Sequence, residues 1–564
     1  MATELWLHPA SLLYLAAALI WLLPKAGGRV LAVVAPLGAL AALWLLPGGL
    51  SLSFAGLDWE FWRADRLARL FGTVFLLAGA LGLLYAWPEN NRRIFSAGLA
   101  YAGSAVGATL AGDLATLFLY WELTALASLP LLIYRHPDYG LSLNALLRYF
   151  ALQILSGLLL LYGIVERELA GLGLGFDAIG LGSPGGLWIL LGFGIKAAFP
   201  LLHNWVQDAY PRASPAGTVL LSTFTTKLAI YVLIRGFAGT DILVPIGVVM
   251  TLFPIFYAVL ENDLRRVLAY SLNNQLGFMV VGVGIGTPLA LDGAAAHAFC
   301  HILYKSLLFM SMGAVLFRTG TTKATELGGL YRSMPWTARF CIVGSASISA
   351  LPLLSGFVSK SMIMAAAVYE GQAWVWVALL IASAGVLDHS GIKVPFFAFF
   401  AHDSGRRVDE APRSMLLAMA ITAAGCILIG LAPGLLYALL PLGSDYHPYT
   451  ADHVVTQMQL LLFAGLAFVW LFRSGRYPDE VRAVNLDFDV TYRRWIPQSV
   501  LAVEGGLAQA GGRLGAQAGR LGQGLLAGWR RVGSDTGALG GTPAVGWMTA
   551  VFLLLAALVG GWLV

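Results

Sequence analysis

The sequence predicts an all-α polytopic membrane protein, and three observations lead to that prediction. Of the 564 residues, 58% are hydrophobic and only 12% are charged, whereas charged residues make up about a quarter of a typical soluble domain. The mean hydropathy is +0.76. Apolar runs long enough to cross a hydrocarbon layer of about 30 Å recur along almost the whole chain.

The apolar runs predict about 14–16 transmembrane helices. Basic residues such as Arg92 and Arg93 follow odd-numbered runs, and acidic residues such as Glu166 and Glu168 follow even-numbered ones. Because cytoplasmic loops are enriched in Lys and Arg, we expect both termini on the outer side of a bacterial inner membrane. The first run lacks a basic leader, so no cleavable signal peptide is expected. The runs lie near residues 9–24, 29–47, 67–87, 94–112, 114–134, 142–165, 186–210, 214–237, 242–260, 267–286, 289–317, 337–369, 373–400, 414–441, 455–472 and 544–563.

Composition argues against several kinds of site. The net charge is +5, but the basic residues are spread over short loops and form no patch for nucleic acid. Cys300, Cys341 and Cys426 lie in apolar runs without CxxC or Cys/His spacing. We therefore expect no disulfide framework, iron–sulfur cluster or zinc site. The sequence also lacks a Gly-rich nucleotide fingerprint, so we expect no cofactor and no bound metal.

The stretch from Gly192 to Tyr231 is central to the interpretation of the chain. It places Lys196 inside an apolar run and interrupts that run at Pro200. A lysine at mid-membrane depth costs about 2.5–3.5 kcal/mol, so it usually faces a bundle interior or a hydrated path. A helix broken by proline is tolerated there only where the freed carbonyls face protein or water. The alternative is a lysine that snorkels from a helix end beside an ordinary kink.

A second interrupted run suggests that the chain contains two repeats. Pro352 and Gly356 interrupt an apolar run just before Lys360. Interrupted helices in corresponding positions are typical of transporters built from inverted repeats, whose ion site lies at the membrane midplane. We therefore predict two inverted five-helix repeats, each with a broken helix. The predicted divisions are N-terminal helices at 1–93, a first repeat at 94–237, a second repeat at 242–400, peripheral helices at 414–472, an amphipathic segment at 485–543 and a last transmembrane helix at 544–564.

The segment before the last predicted helix has a different composition. From about Pro497 to Val532, Leu and Trp recur at helical spacing among Gly, Ala, Gln and Arg. This pattern predicts an amphipathic lateral helix, about 50 Å long, on the cytoplasmic side of the membrane. Its many glycines leave a flexible linker as the alternative.

Glu122 lies at the centre of an apolar run, where burial disfavours a lone charged carboxylate. Lys196 is its natural partner, because a Glu–Lys pair in a low dielectric responds strongly to one proton or to a change in hydration. His203 and Lys227 follow Lys196 in the same stretch. The pair is therefore a candidate switch on a proton pathway, and a purely structural ion pair is the alternative.

A second group of titratable residues lies in the run 289–317. His297, His301 and Lys305 are spaced at i, i+4 and i+8, which places them on one helical face. Histidine titrates near neutrality, so this face is a candidate proton relay; no carboxylate or cysteine completes a zinc site. Arg148 either belongs to the pathway or anchors a helix at the membrane interface. Further ionisable residues at membrane depth are Asp388, His389 and Lys393.

These motifs resemble those of the antiporter-like subunits of respiratory complex I and of the multisubunit Mrp cation/proton antiporters. The resemblance covers roughly residues 90–400, and the sequence looks more like the D-type branch of the Mrp subunits than like complex I. It departs from the family at Asp388-His389 and in its longer tail, and proline stands four residues after Lys196. The matching stretches are Trp121–Leu123, Lys196–Ala209, Asp263–Ser271, His301–Lys305 and Ser355–Lys360.

The resemblance implies a proton path along the membrane midplane, made of two half-channels and gated by coupling between Glu122 and Lys196. It places Arg148 where the family often has a basic residue. The residues implied are Glu122, Lys196 and Lys227 in the first half-channel and His301, Lys305 and Lys360 in the second.

The sequence thus predicts a proton-translocating subunit of a multisubunit Na+/H+ antiporter, which is part of a transporter and not an enzyme. Its expected partners are the other membrane subunits of the complex and the lipid bilayer. A proton-pumping subunit of an NADH:quinone oxidoreductase-like, hydrogenase-like or inorganic-carbon-uptake complex is the alternative, and a scaffold that conducts nothing is another. No compact set of Na+ ligands is visible in the sequence, so we expect protons here and the Na+ path elsewhere.

Overall fold

The computed structural model describes residues 7–54, 57–133, 143–478, 480–481, 487–532, 550 and 553–554. In these residues nearly all regular structure is helical, and ten helices are long and apolar enough to cross a membrane. The polytopic helical fold predicted from composition is therefore confirmed. The chain divides into two compact units, Met1–Asn485 and Leu486–Val564.

Within its described residues, the N-terminal part of the first unit contains four helices and one β-hairpin. The hairpin is a small exception to the all-α prediction: its strands, SLSF and LDWE, pair antiparallel with Ser51 opposite Glu60. Polar and apolar residues alternate in the first strand with the period of two that suits an extended chain. The elements are α1 (Pro9–Leu19), α2 (Lys25–Leu45), β1 (Ser51–Phe54), β2 (Leu57–Glu60), α3 (Arg66–Tyr85) and α4 (Arg92–Leu110).

Fifteen further helices of the first unit follow in the described chain, and several are broken or very short. Short 3-10 turns lie at Trp87–Glu89, Tyr210–Arg212, Ala324–Glu326 and Leu330–Arg332, and π-helical turns at Leu387–Lys393 and Phe396–Phe400 extend α16. The helices are α5 (Leu114–Leu132), α6 (Leu143–Leu169), α7 (Gly186–Lys196), α8 (Asn204–Ala209), α9 (Pro215–Thr223), α10 (Thr225–Phe237), α11 (Leu243–Leu260), α12 (Leu264–Ile285), α13 (Pro288–Thr319), α14 (Pro335–Ile348), α15 (Ser355–Tyr369), α16 (Ala373–Val386), α17 (Arg413–Leu431), α18 (Gly434–Tyr437) and α19 (Ala451–Arg473).

The start of α5 and the start of α12 have the same local structure. Asp113 and Asp263 are the N-cap residues, and each side chain accepts a hydrogen bond from a backbone N–H of the first turn. Each aspartate also forms an isolated antiparallel bridge, to Gly175 in one case and to Lys323 in the other. Each helix is the second in its predicted repeat, and the two aspartates cap these helices in the same way.

The two predicted helix breaks also share one backbone structure. Ala198 and Leu201 have φ of 61° and 72°, and Ala350 and Leu353 have φ of 59° and 74°. Non-glycine residues rarely adopt this left-handed conformation, which costs about 1–3 kcal/mol each. The sequences are Ala-Phe-Pro-Leu and Ala-Leu-Pro-Leu, so Pro200 and Pro352 take the same position in both breaks. Both predicted helix breaks are confirmed.

Gly356 is not part of the second break, contrary to the prediction from its sequence. It is the second residue of α15, and its N–H lies 3.3 Å from Ser347 Oγ. A Cβ at this position would lie 1.8 Å from Ser347 O. Glycine is therefore required by the close approach of α14 and α15 and not by the conformation of the break.

A third interruption, between α9 and α10, is not marked by proline. The run 214–237 is predicted as one helix, but Phe224 separates Thr223 from Thr225 with φ −96° and ψ −71°. Ser and Thr side chains can compete for backbone hydrogen bonds inside a helix, and this segment reads STFTTK.

The second unit contains a π-helical turn at Thr491–Trp495 and the 37-residue helix α20 (Ile496–Val532). A continuous helix of this length extends about 55 Å. Its described side chains are almost all exposed, including Leu501, Leu507 and Trp529. The predicted lateral helix is therefore a single helix and not a flexible linker. The last predicted span, 544–563, lies outside the described residues except for Ala550, Leu553 and Leu554.

Candidate functional site

Lys196 is the last residue of α7 and is fully buried. Its Nζ donates hydrogen bonds to Trp121 O at 2.6 Å and to Thr124 Oγ1 at 2.9 Å, and it lies 4.3 Å from the centroid of the Trp121 ring. These contacts combine neutral oxygen acceptors with the face of an aromatic ring. The lysine is thus held in a site that solvates an ammonium without an opposing charge in direct contact.

Glu122 is adjacent to this site but does not form a direct ion pair with Lys196 in the described structure. Its Oε1 accepts no hydrogen bond there, and its carboxylate packs against Gly157 of α6. Successive residues of a helix point about 100° apart, so Trp121 and Thr124 face Lys196 while Glu122 faces α6. The two charges still interact electrostatically. The coupling between the two side chains therefore acts through space and not through a direct contact.

Lys227 is fully buried in α10, beside the unpredicted interruption. Its Nζ donates a hydrogen bond of 2.6 Å to Ser222 O, an acceptor that lies just before the interruption at Phe224. Lys227 also interacts electrostatically with Lys305 and His301 of α13. This residue therefore couples α10 electrostatically to α13.

His297, His301 and Lys305 are all fully buried on α13. His297 Nδ1 lies 3.0 Å from Ser359 Oγ, and its Nε2 lies 3.2 Å from Gln275 Oε1, both within hydrogen-bond distance. The ring centroids of His297 and His301 are 6.3 Å apart.

His301 and Lys305 differ from His297 in having no hydrogen-bond partner within the described chain. An isolated charge at such a place is costly unless water or deprotonation relieves it. Both residues therefore suit a site that exchanges protons and admits water.

Lys360 lies in α15 close to the second helix break. Its Nζ donates a hydrogen bond of 3.0 Å to Ile348 O, the carbonyl of the last residue of α14, and lies 5.0 Å from the Phe278 ring centroid. The helix break leaves this carbonyl without its helical partner and so makes it available to the lysine. A broken helix next to a lysine thus supplies an acceptor for the ammonium at membrane depth.

The π-helical turns after α16 carry the last group of buried residues. His389 Nδ1 lies 2.9 Å from Ser390 Oγ, which donates to Ser271 Oγ at 2.7 Å. Lys393 Nζ donates to Val259 O at 2.6 Å and forms an ion pair of 2.8 Å with Glu480 Oε1. His389 interacts electrostatically with both Lys305 and Lys393. π-Helical turns are rare and often occur at functional sites, so their presence at His389 and Lys393 favours a functional role for these residues.

Glu480 is the residue that sequence reasoning missed. It belongs to the mixed-charge stretch RYPDEVR after α19, a pattern that usually indicates a solvated loop. The structure instead buries this carboxylate against Lys393; the side chain of Glu480 is 8% exposed and that of Lys393 is 0% exposed. No signal in the sequence distinguishes Glu480 from its charged neighbours.

Two predicted pathway residues take other positions. Arg148 is partly exposed near the start of α6, where its guanidinium forms an ion pair with Asp208 at 2.7 Å. Arg212 lies 3.6 Å from the same carboxylate. This geometry favours the anchoring role over a buried relay for Arg148. His203, at the start of α8, packs against Phe253 with ring centroids 4.5 Å apart.

Most of the predicted residues are buried or half-buried among the helices, and they are called the polar series below. The series runs through α5, α7, α10, α13, α15 and the turns after α16 and contains no ordered group of three or more His, Cys, Asp or Glu that could hold a metal within the described residues. It consists of Glu122, Lys196, Lys227, His297, His301, Lys305, Lys360, Asp388, His389, Lys393 and Glu480.

Two proteins that are similar to this chain in sequence are named as components of cation/proton antiporters. A probable K(+)/H(+) antiporter component of the A/B type from Rhizobium meliloti is 31% identical over 400 residues, which is 66% of this chain and 40% of that protein. The D component of the Na(+)/H(+) antiporter of Alkalihalophilus pseudofirmus is 29% identical over 364 residues, covering 60% of this chain and 73% of that protein. The chain thus spans less than half the length of the first relative.

Structural similarity extends further than sequence similarity. A chain in the Mrp complex from Dietzia sp. DQ12-45-1b matches with a TM-score of 0.76 at 24% identity, over 99% of this chain and 63% of that chain. At this identity the match establishes the fold. The family model described as NADH:quinone oxidoreductase/Mrp antiporter, TM, matches residues 111–385, which include both helix breaks and the buried lysines from Lys196 to Lys360. The similarity to this family model is thus confined to residues 111–385, somewhat less than half of the chain.

Proposed function

We propose that this chain is the proton-translocating subunit of a multisubunit cation/proton antiporter. One observation carries the proposal: five lysines, four of them without a carboxylate in direct contact, are buried along one polar series in the described structure. They are Lys196, Lys227, Lys305, Lys360 and Lys393, of which Lys393 alone has a direct carboxylate partner in that structure. A buried ammonium without a counterion is expensive, so such a lysine readily gives up its proton or recruits water.

The lysines and histidines would carry the proton, and carbonyl groups at the helix breaks would stabilise the protonated lysines. The ammonium of Lys360 is stabilised by Ile348 O, and that of Lys227 by Ser222 O. These carbonyls accept a stronger hydrogen bond from the charged ammonium than from the neutral amine. Movement of the proton to the next base leaves each site ready for another proton. The path needs water between bases that do not touch, such as Lys305 and His389.

Glu122 would act as the electrostatic control of this series. A negative carboxylate beside Lys196 favours the charged lysine, and protonation of Glu122 removes that support. Because the two side chains do not touch, proton uptake at Glu122 changes the charge state of Lys196 without breaking a hydrogen bond. This coupling is the step through which a neighbouring subunit can drive or follow proton movement.

The partners and the location follow from the same proposal. The chain would sit in a bacterial inner membrane with its N-terminus outside, beside other membrane subunits that carry the Na+ or K+ path. Its own described residues offer lysines and histidines in place of the oxygen cluster that an alkali cation requires. The transported species in this chain would therefore be the proton.

A proton-pumping subunit of a redox-driven complex is the second candidate. The name of the matching family covers both NADH:quinone oxidoreductase and Mrp antiporters, and the same buried residues serve either complex. Purification of the intact complex followed by mass spectrometry and an absorption spectrum separates the two. Small hydrophobic partners without cofactor absorbance support the antiporter, and iron–sulfur or flavin absorbance supports the redox pump.

Transport by the reconstituted complex tests proton translocation itself. The complex is placed in vesicles with a fluorescent pH indicator, and proton movement is driven by a Na+ or K+ gradient. Lys196→Ala should reduce the rate at least about tenfold, because its site loses the one group that can hold a proton. Lys25→Ala, at the exposed start of α2, is the matched control and should transport normally. Wild-type rates in both Lys196→Ala and Lys360→Ala would refute the proposal.

A further inference from the structure

The buried series ends at a cavity that reaches the protein surface. Lys393 is fully buried, but Glu480 beside it lines a cavity of about 380 Å³. Other lining residues include Thr325, His402 and Tyr477. The space is large enough for several water molecules, and it has polar groups to hold them.

The Glu480 carboxylate is not satisfied as a structural ion pair would be. Apart from the contact with Lys393, neither of its oxygens has a hydrogen-bond partner in the described chain. A buried carboxylate normally accepts several hydrogen bonds, and unfilled acceptors next to a cavity indicate that water takes that place. Glu480 thus contacts the inner lysine on one side and the cavity on the other.

We propose that Glu480 is the port through which the buried proton pathway exchanges protons with water. The inference rests on the proposed function, since it assigns an entrance to that pathway. Water in the cavity would be the donor outside, and Lys393 would be the acceptor inside. The port opens on the side that carries Arg266, Lys323 and Arg406, which is the cytoplasmic side by the positive-inside rule.

Each transfer through the port conserves protons and charge. A hydronium ion in the cavity gives a proton to the Glu480 carboxylate and leaves as water, forming a neutral carboxylic acid. That acid breaks its O–H bond and protonates the neutral amine of Lys393, which restores the carboxylate and produces the ion pair seen in the structure. Lys393 then passes a proton inward, toward His389 one helical turn away and already within electrostatic range. The reverse order releases a proton.

Several charged groups around Glu480 set the pKa of its carboxyl group and therefore how readily it exchanges a proton. Burial raises the pKa of Glu480 above its ordinary value, the Lys393 ammonium opposes that rise, and Glu261, just after α11, adds to it. Arg266 pairs with Glu261 at 3.3 Å and moderates its charge. A raised pKa brings a carboxyl group closer to neutral pH, where it exchanges protons most effectively in both directions.

The remaining titratable groups at this end are Asp388, Tyr477 and His402. Asp388 interacts electrostatically with Lys393 and Tyr477. Burial raises the pKa of Tyr477 far from neutrality, so its hydroxyl stays protonated and cannot replace Glu480. His402 lines the cavity. Glu480 is thus the carboxylate that faces both the cavity and Lys393.

Proton transport by three variants of the intact complex tests the port. Glu480→Gln removes the titrating group and should slow transport about tenfold or more, whereas Glu480→Asp keeps it and should restore most of the rate. Tyr477→Phe removes another polar group of the same cavity without a titration near neutral pH, and it should transport normally. Glu480→Asp should also displace the pH profile of transport, which a merely structural role for Glu480 would not do.

The outcomes separate this inference from the proposed function. If Glu480→Gln transports with the rate and pH profile of the wild type while Lys196→Ala does not transport, the port is wrong and the proton pathway stands. If Lys196→Ala also transports normally, the proposed function itself fails. Should Glu480→Gln not assemble with the other subunits, Glu480→His is measured instead. A pH profile displaced toward histidine titration supports the port, and an unchanged profile overturns it.

Discussion

Gly157 of α6 fixes the position of the Glu122 carboxylate, so Gly157→Ala tests the electrostatic control proposed for that residue. A Cβ at position 157 would lie 1.6 Å from Glu122 Oε1 and 2.5 Å from its Cδ, whereas ordinary contact begins at 3.4 Å. The carboxylate must therefore move by at least the difference between 3.4 and 1.6 Å, which is 1.8 Å. The clashing atoms are the far end of a flexible side chain, so the helices need not separate.

The stability and the transport rate should respond differently to this substitution. Alanine in a helix is favoured over glycine by about 0.5–1 kcal/mol, which offsets part of the cost of repacking. We therefore expect a melting temperature within a few degrees of the wild type. Misplacing a reacting or controlling group by more than about 1 Å can cost up to a hundredfold in rate. We expect transport to fall at least about tenfold, equivalent to about 1.4 kcal/mol in the barrier.

The measurement is cation-driven proton movement in vesicles at matched amounts of assembled complex. Gly465→Ala in α19 is the matched control, because no atom lies within 4 Å of a Cβ built there. It should leave transport unchanged. A Gly157→Ala complex that is fully assembled and transports like the wild type would show that the position of Glu122 does not control the pathway.

Two further predictions concern residues outside the pathway. Asp292 of α13 accepts hydrogen bonds from Leu442 N at 3.0 Å and from Ser444 N and Oγ at 2.8 and 2.7 Å. Asp292→Ala should destabilise the chain by about 1.5–3 kcal/mol and speed hydrogen exchange around residue 442. Unchanged hydrogen exchange there would contradict this prediction. Burial raises the pKa of Glu89 above its ordinary value of 4.5, against an opposing hydrogen bond from Ala216 N. The folded state then binds this proton more tightly than the unfolded state, so stability should fall as pH rises above 4.5. Thermal melting across this range should show the slope, and Glu89→Gln should flatten it; an equal slope in the variant would assign it to other groups.

The sequence predicts the membrane-spanning helices and two of the three interruptions well, because their signals are local. Hydropathy is summed over a whole span, and proline removes a backbone donor wherever it stands. The conformation of the breaks needed the structure, since neither Ala198 nor Leu201 has a sequence preference for positive φ. The interruption at Phe224 has no proline and was missed.

The candidate site is predicted less completely, because side-chain direction decides its geometry. The sequence places Glu122 and Lys196 in apolar runs, but it does not show that the rotation of α5 turns the carboxylate away from the ammonium. Arg148 forms an ion pair with Asp208. The two residues are distant in the sequence, so their spacing does not predict the ion pair. The burial of Glu480 depends on a segment that returns to the bundle after α19, and no periodic pattern in the sequence predicts such a return.

The distribution of charge along the series suggests how the proposed pathway would be controlled. Its interior contains bases, namely Lys196, Lys227, His301, Lys305 and Lys360, whereas carboxylates stand at its two ends. Glu122 lies at one end, and Asp388 and Glu480 lie at the other. In an interior of bases alone, each added proton repels the next, so only a few protons can reside there at once. The end carboxylates offset this repulsion when they are charged and no longer offset it when they are protonated. Proton uptake at either end therefore changes the occupancy of the interior, and a neighbouring membrane protein of the complex could control the whole series by acting on one carboxylate.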